Sequence, residues 1–427
     1  MSTLTVTEFT PAAPAGPAAP AAQATAATAR TPLVSRRLAL VLMSTLGAMT
    51  SFYLLLSVTP MYAAAAGAGD AGAGLATGAL MLAGVLAEFA APALMRWCGN
   101  RAVLALSAVL LGAPALALLG PDRMTTILLV SLVRGLGFGL SVVVTGTLVA
   151  LLLPPGRRGE GFGVFGLVAC VPAVAALPSG VWLAGNSSNG VVVVITAATA
   201  LLPLAAVRWI PAGSAEPEPT ADRDGGQPPG LLGSLRHGGQ LRPSLIFAAT
   251  TVSGGVVVAF LPLAVGAGGS VAAVGLFAQA VTATLSRWLA GRLGDRHGHA
   301  SLLVPGLVVA AAGMATLIWV DRPAAMIAGM CLFGAGFGAG QTATFALMID
   351  RAPASGYGAA SALWNLAYDA GYGAGPMLFG LFAARTGYPA AFALTALLMV
   401  AALRPAWRER SADAGSRRSA GRGGTRH

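Results

Sequence analysis

The sequence predicts an all-α polytopic membrane protein with twelve transmembrane helices in two six-helix bundles. Composition, run length and arginine placement carry that expectation. Of 427 residues 56% are hydrophobic and 10% charged, and the mean hydropathy is +0.75; soluble domains carry about a quarter charged residues. The apolar residues fall in runs of about 20, the length that crosses a hydrocarbon core about 30 Å thick. An ordinary soluble enzyme is excluded.

Residues 1–36 are rich in Ala, Pro and Thr. They cannot bury a core, so they read as a disordered tail, and they lack the short apolar stretch of a signal peptide. Twelve spans follow at about 38–62, 75–95, 102–120, 124–150, 161–184, 190–209, 243–266, 271–290, 301–319, 324–348, 357–384 and 388–404. Residues 37–209 and 243–406 are the two halves. Between them, 210–242 carry Pro, Gly and mixed charge, including Glu216, Glu218, Asp222, Arg223, Asp224 and Arg236, which marks a polar linker. Residues 407–427 form a basic tail that reads as unstructured.

All 26 basic residues are Arg, and their placement argues against nucleic acid as the partner of a +11 chain. With both termini on one side, 21 lie in the termini, the linker and the loops on that side, and only Arg123, Arg322 and Arg385 on the other. An excess of Arg in short loops marks the cytoplasm, so both termini face inward across the plasma membrane. Arg134 and Arg287 remain inside spans. Cys98, Cys170 and Cys331 are far apart and indicate neither disulfides nor a metal.

The halves repeat. Arg96-Trp97-Cys98-Gly99 after span 2 aligns with Asp295-Arg296-His297-Gly298 after span 8 at an offset of 199, and the same offset carries Gly137-Phe138-Gly139 onto Gly336-Phe337-Gly338. Parallel duplicated halves, related by an axis along the membrane normal, follow.

Gly291-Arg-Leu-Gly-Asp295-Arg296-His-Gly298-His resembles the cytoplasmic loop signature of the major facilitator superfamily, G-x-x-x-D-R-x-G-R. The first-half copy has Pro92 and Arg96 where the family has Gly and Asp, and keeps Gly99 and Arg101. Arg134-Gly-Leu-Gly137-Phe-Gly139 resembles the family's R-x-x-x-G element, with glycines on either side of the final position, where Phe138 stands; the element's Arg is associated with proton coupling in antiporters. Pro154-Pro-Gly-Arg157-Arg158-Gly-Glu160 looks like a loop of bacterial efflux-type members, although span 5 has Leu177-Pro178-Ser-Gly180 in place of the antiporter signature G-P-x-x-G-G. The resemblance covers residues 37–406 and implies a central cavity between the bundles. Abundant Ala, Gly and Arg with no Lys suggest a GC-rich actinobacterial source.

Candidate site residues are the polar groups stranded in apolar spans. Arg134 lies about 15 Å into span 4 at 1.5 Å per residue, where an ionised side chain costs roughly 2.5–3.5 kcal/mol on insertion scales; coupling, a substrate anion and a structural ion pair remain open for it. Asp369 lies near mid-span in span 11, with Asn365 and Tyr372 at i−4 and i+3 and Trp364 and Tyr368 widening the stripe; a proton carrier and a fixed structural Asp remain open. Glu88 in span 2 lies about 12 Å from the cytoplasmic end, at a different depth from Asp369 although the resemblance brings spans 2 and 11 to one seam; a proton site, a polar cavity wall and a structural partner to Arg134 remain open for it. Gln341, Gln279 and Tyr53 are candidate cavity contacts, and Phe52 and Phe260 candidate aromatic walls. Gly291, Asp295, Arg296, Gly298, Gly99 and Arg101 form the candidate cytoplasmic gate. Gly135/Gly139, Gly334/Gly338, Gly336/Gly340 and Gly371/Gly375 are small-xxx-small pairs for close helix packing.

The expected function is secondary active transport, with proton-driven export of a drug or secondary metabolite by a monomer that needs no cofactor and binds no nucleic acid. A sugar or nutrient uniporter or symporter is the alternative. A membrane-embedded enzyme is remote, because His237, His297, His299 and His427 all lie outside the spans.

Overall fold

A computed structural model of the chain describes residues 34–121, 123–153, 157–209, 239–266, 269–352 and 357–423. The expected disordered tail and most of the linker lie outside these residues. Nearly everything described is helix. The first half comprises α1 (Arg36–Leu56), α2 (Gly69–Cys98), α3 (Asn100–Gly112), α4 (Met124–Leu152), α5 (Arg158–Asn186) and α6 (Asn189–Leu201). The second comprises α7 (Leu241–Val265), α8 (Gly269–His297), α9 (Ala300–Thr316), α10 (Pro323–Asp350), α11 (Tyr357–Thr386) and α12 (Tyr388–Gly423).

Nine described stretches are long and apolar enough to cross a membrane, and the first, Arg36–Cys98, contains both α1 and α2. The spans of α6 and α11 were read from the sequence but fall outside that set: α6 contributes a shorter apolar helix, Gly190–Leu201, and α11 runs 30 residues through Asn365 and Asp369. Large apolar side chains face outward along the bundle, among them Leu82, Leu86, Phe89, Leu285, Leu378 and Leu381. Water would penalise such a surface; acyl chains do not. At the end that bears the termini, Arg208, Arg292 and Arg410 lie over the rings of Trp209, Trp288 and Trp407, amphipathic pairs suited to headgroup depth.

The repeat read from two landmarks extends through the packing. A Cβ on Gly135 would strike Leu80 O and Ala83, and one on Gly334 would strike Gln279 O and Thr282; Gly139 meets Gly84 and Ala87 where Gly338 meets Ala283 and Ser286. Every one of these positions is shifted by 199. The turns repeat too: Gly99 and Gly298 have φ of 80° and 88°, and Gly67 and Gly266 have 83° and 69°, values open to Gly without a Cβ clash. Within the halves α2 packs on α4 and α3 on α4, as α8 packs on α10 and α9 on α10. Between them α2 meets α11 and α5 meets α8. Those two seams are the same seam, seen twice.

Two sequence expectations need correction. Span 2, read from about 75, starts earlier: the chain is helical to Ala63, passes through a π-helical turn at Ala64–Ala68 and enters the next helix at Gly69, reversing at the positive-φ Gly67 and Gly69. The tail read as unstructured continues α12 to Gly423. Its first turns carry good helix formers, and Glu409, 2% exposed, is ion-paired with Arg351 at the end of α10.

Candidate functional site

Arg134 is fully buried in α4, and its guanidinium donates to backbone carbonyls: Nη1 to Leu111 O at the end of α3 and Nη2 to Ser51 O of α1, the latter at 2.8 Å. Leu111 precedes the point where α3 tightens into the 3-10 helix Ala113–Leu119. There Pro114 has no N–H to offer, so a carbonyl lacks its helical partner and the arginine supplies one. Arg134 thus ties α1, α3 and α4 together.

A different arginine faces the centre. A cavity of about 40 Å³ lies between the halves, lined by Tyr53 of α1, Cys170 and Leu177 of α5, Gln279, Thr284 and Arg287 of α8, Phe337 of α10, and Tyr368 and Tyr372 of α11. It has room for a few water molecules, so any organic solute requires the helices to part. Arg287 donates to Cys170 Sγ at 3.3 Å, and its Nε is buried without a partner. Tyr368 and Tyr372 stack at 5.1 Å between ring centroids, and Trp364 and Phe247 continue the aromatic ladder along α11 and α7. Larger apolar grooves, such as one of about 370 Å³ between α7, α11 and α12, open sideways onto the lipid-facing surface.

Asp369 does not share the face of Tyr372. It turns towards α2, where its carboxyl lies beside that of Glu88, while Tyr368 and Tyr372 point into the cavity. Asp369 is 6% exposed and Glu88 half-buried. Two neighbouring carboxyls can be hydrogen-bonded to one another only while one of them holds a proton. The offset of 199 carries Glu88 onto Arg287 and Cys170 onto Asp369. Equivalent positions of the two seams therefore hold an acid pair on one side of the cavity and an arginine–thiol pair on the other.

Gln279 and Tyr53 line the cavity as read from the sequence. Gln341, 6% exposed in α10, and half-buried Asn365 lie outside its lining. Phe52 stacks on Phe138 at 3.9 Å and Phe260 packs on Phe379 at 4.7 Å, so both belong to the core and neither is a cavity wall. Arg287 and Cys170 were left unassigned by the sequence reading. The signal for Arg287 was present, since it is the second arginine inside a span; nothing local distinguishes Cys170 from a packing residue.

The halves also meet at the end away from the termini. Tyr388 donates to Asp70 Oδ1 at 2.5 Å, and Asn186 Nδ2 donates to Ser270 Oγ at 3.4 Å. In the signature loop at the opposite end, exposed Asp295 lies 3.8 Å from His299 Nε2, and His299 Nδ1 lies 3.5 Å from Asp350 at the end of α10. Gly298 and Gly99 make the two positive-φ turns described above. Arg296 is exposed, Gly291 and Arg101 are half-buried, and a Cβ on Gly291 would meet open space.

Comparison with known proteins bears on this geometry. The family model of the Major Facilitator Superfamily matches residues 41–287 and 244–426. No protein of curated function matches the sequence. Among solved structures the chain is similar to the nucleoside transporter NupG, at 14% identity and a TM-score of 0.68, over 87% of this chain and 98% of that one. It is also similar to the inward open xylose transporter XylE from E. coli, at 16% identity and 0.68, over 86% and 95%. A bacterial homolog of the human lysosomal transporter Spinster, inward-facing and unoccupied, matches at 17% identity and 0.66, over 88% and 96%. These identities speak for the fold alone.

Proposed function

The chain belongs to the major facilitator superfamily, and from that premise we propose that it is a secondary active transporter which exports a small organic compound in exchange for protons. The observation that carries the reading is the juxtaposition of two carboxyls, Glu88 and Asp369, at the α2/α11 seam. Alternating access requires the two halves to rock about the cavity, and a seam that opens and closes exposes the pair to one side and then the other. A proton taken up outside and released inside then drives the solute outward. The cavity lining of tyrosines, Phe337 and aliphatic side chains, with Gln279 as its amide, suits an amphiphilic solute better than a sugar with many hydroxyls. Membership of a transporter family favours transport over the embedded enzyme.

In our reading Asp369 and Glu88 carry the proton and Arg134 is a structural strut. Asp295 and Arg296 act at the cytoplasmic face, where the Asp295–His299–Asp350 contacts hold the ends of α8 and α10. The contacts at Asp70–Tyr388 and Asn186–Ser270 tie the two halves together at the outer end.

Everted membrane vesicles test the reading. An acid-inside gradient should drive an amphiphilic fluorescent compound into the lumen, and a protonophore should collapse that accumulation. Accumulation indifferent to the protonophore, or driven only in the opposite direction, would return the reading to uniport or import. The arginine bias adds an orientation: a single cysteine placed in the 210–242 linker should react with an impermeant maleimide in everted vesicles and stay unlabelled in intact cells. Labelling from outside intact cells would overturn it.

A further inference from the structure

We propose that the central cavity recognises an organic anion, a flat apolar body carrying a carboxylate, with Arg287 as the residue that binds the charge. The two intramembrane arginines differ in what they already hold. The Arg134 guanidinium is engaged by two backbone carbonyls that bridge three helices. Arg287 sits in the cavity lining with a thiol at 3.3 Å as its described side-chain partner; its Nε, like that of Arg134, is buried and unpartnered, and no ion pair to Arg287 occurs among the described residues.

A cation within a span is costly unless an anion meets it, and the two acids inside the spans, Glu88 and Asp369, lie beside one another at the opposite seam. A planar guanidinium fits a carboxylate through two parallel N–H···O bonds. Tyr53, Phe337 and the stacked Tyr368–Tyr372 pair surround it with aromatic faces and edges, which suit a ring. An anion also fits the energetics of exchange. Moving an anion out while a proton moves in displaces charge in one direction, so a membrane potential negative inside assists both.

This inference rests on the transporter reading only in that the cavity must open to a solute; it does not need proton coupling. The test is therefore a binding experiment without a gradient. Purified protein in nanodiscs is titrated with 2-naphthoate and with its neutral isostere 2-naphthamide, and the thermal midpoint is followed. Wild type is expected to prefer the carboxylate at least tenfold, Arg287→Gln to bind both alike, and Arg287→Lys to recover part of the preference. Equal response of wild type to the two compounds, including no response to either, overturns the proposal, and that comparison needs no variant. A tenfold preference that survives in folded Arg287→Gln overturns the assignment to Arg287. A protein that prefers the carboxylate but shows no proton-driven accumulation sinks the coupling reading and leaves this one standing.

Discussion

Asp369→Asn is expected to abolish concentrative transport while leaving the protein folded and exchange-competent. Asparagine keeps the shape of the side chain and can still bond to Glu88, but it cannot hold and release a proton. In vesicles with an imposed pH gradient, the accumulation ratio of a transported compound should fall to parity, whereas exchange between equal concentrations on the two sides persists. Glu88→Gln should do the same if the two neighbouring carboxyls act as one site, because removing either acid then removes the group that shares the proton. A variant Asp369→Asn that still concentrates solute, beside an inactive Glu88→Gln, would move the carrier to Glu88. Retained uphill activity in both would end the proton reading.

The second large effect is on stability. Arg134→Ala removes both donors to the carbonyls of Leu111 and Ser51 and leaves an arginine-sized void at a fully buried position. Hydrogen bonds to charged groups contribute about 1.5–3 kcal/mol each, so the loss of two should be about 3–6 kcal/mol, enough to lower the thermal midpoint sharply and to shrink the monodisperse fraction. Arg134→Lys keeps the charge and can reach one carbonyl but not span both with a planar fork, so an intermediate midpoint is expected. A Lys variant as stable as wild type, yet without coupling, would replace the strut with the proton-coupling role that the motif resemblance implies.

The fold class was legible because it depends on one chain segment at a time. A run of about 20 apolar residues, an arginine in a short loop and a glycine pair at a fixed offset each keep their meaning whatever lies beside them in space. The offset of 199 reaches further than the motifs that revealed it, since the same shift relates the neighbours of Gly135 to those of Gly334 and relates Glu88 to Arg287. The first turn and the last helix were misread for local reasons. Paired positive-φ glycines can replace a loop, and a charged helix can continue past the membrane when one of its acids, Glu409, finds a buried partner.

What the sequence by itself determined is which polar groups enter the membrane and at what depth: Glu88, Arg134, Gln279, Arg287, Gln341 and Asp369. What only the tertiary structure decided is the azimuth of each and the identity of its partner. One residue turns a helix by about 100°, which separates Tyr368 in the cavity from Asp369 on the seam. Two lone arginines inside spans are alike in sequence. A proline-broken helix end beside one leaves a carbonyl for it to satisfy, and a small cavity lies beside the other.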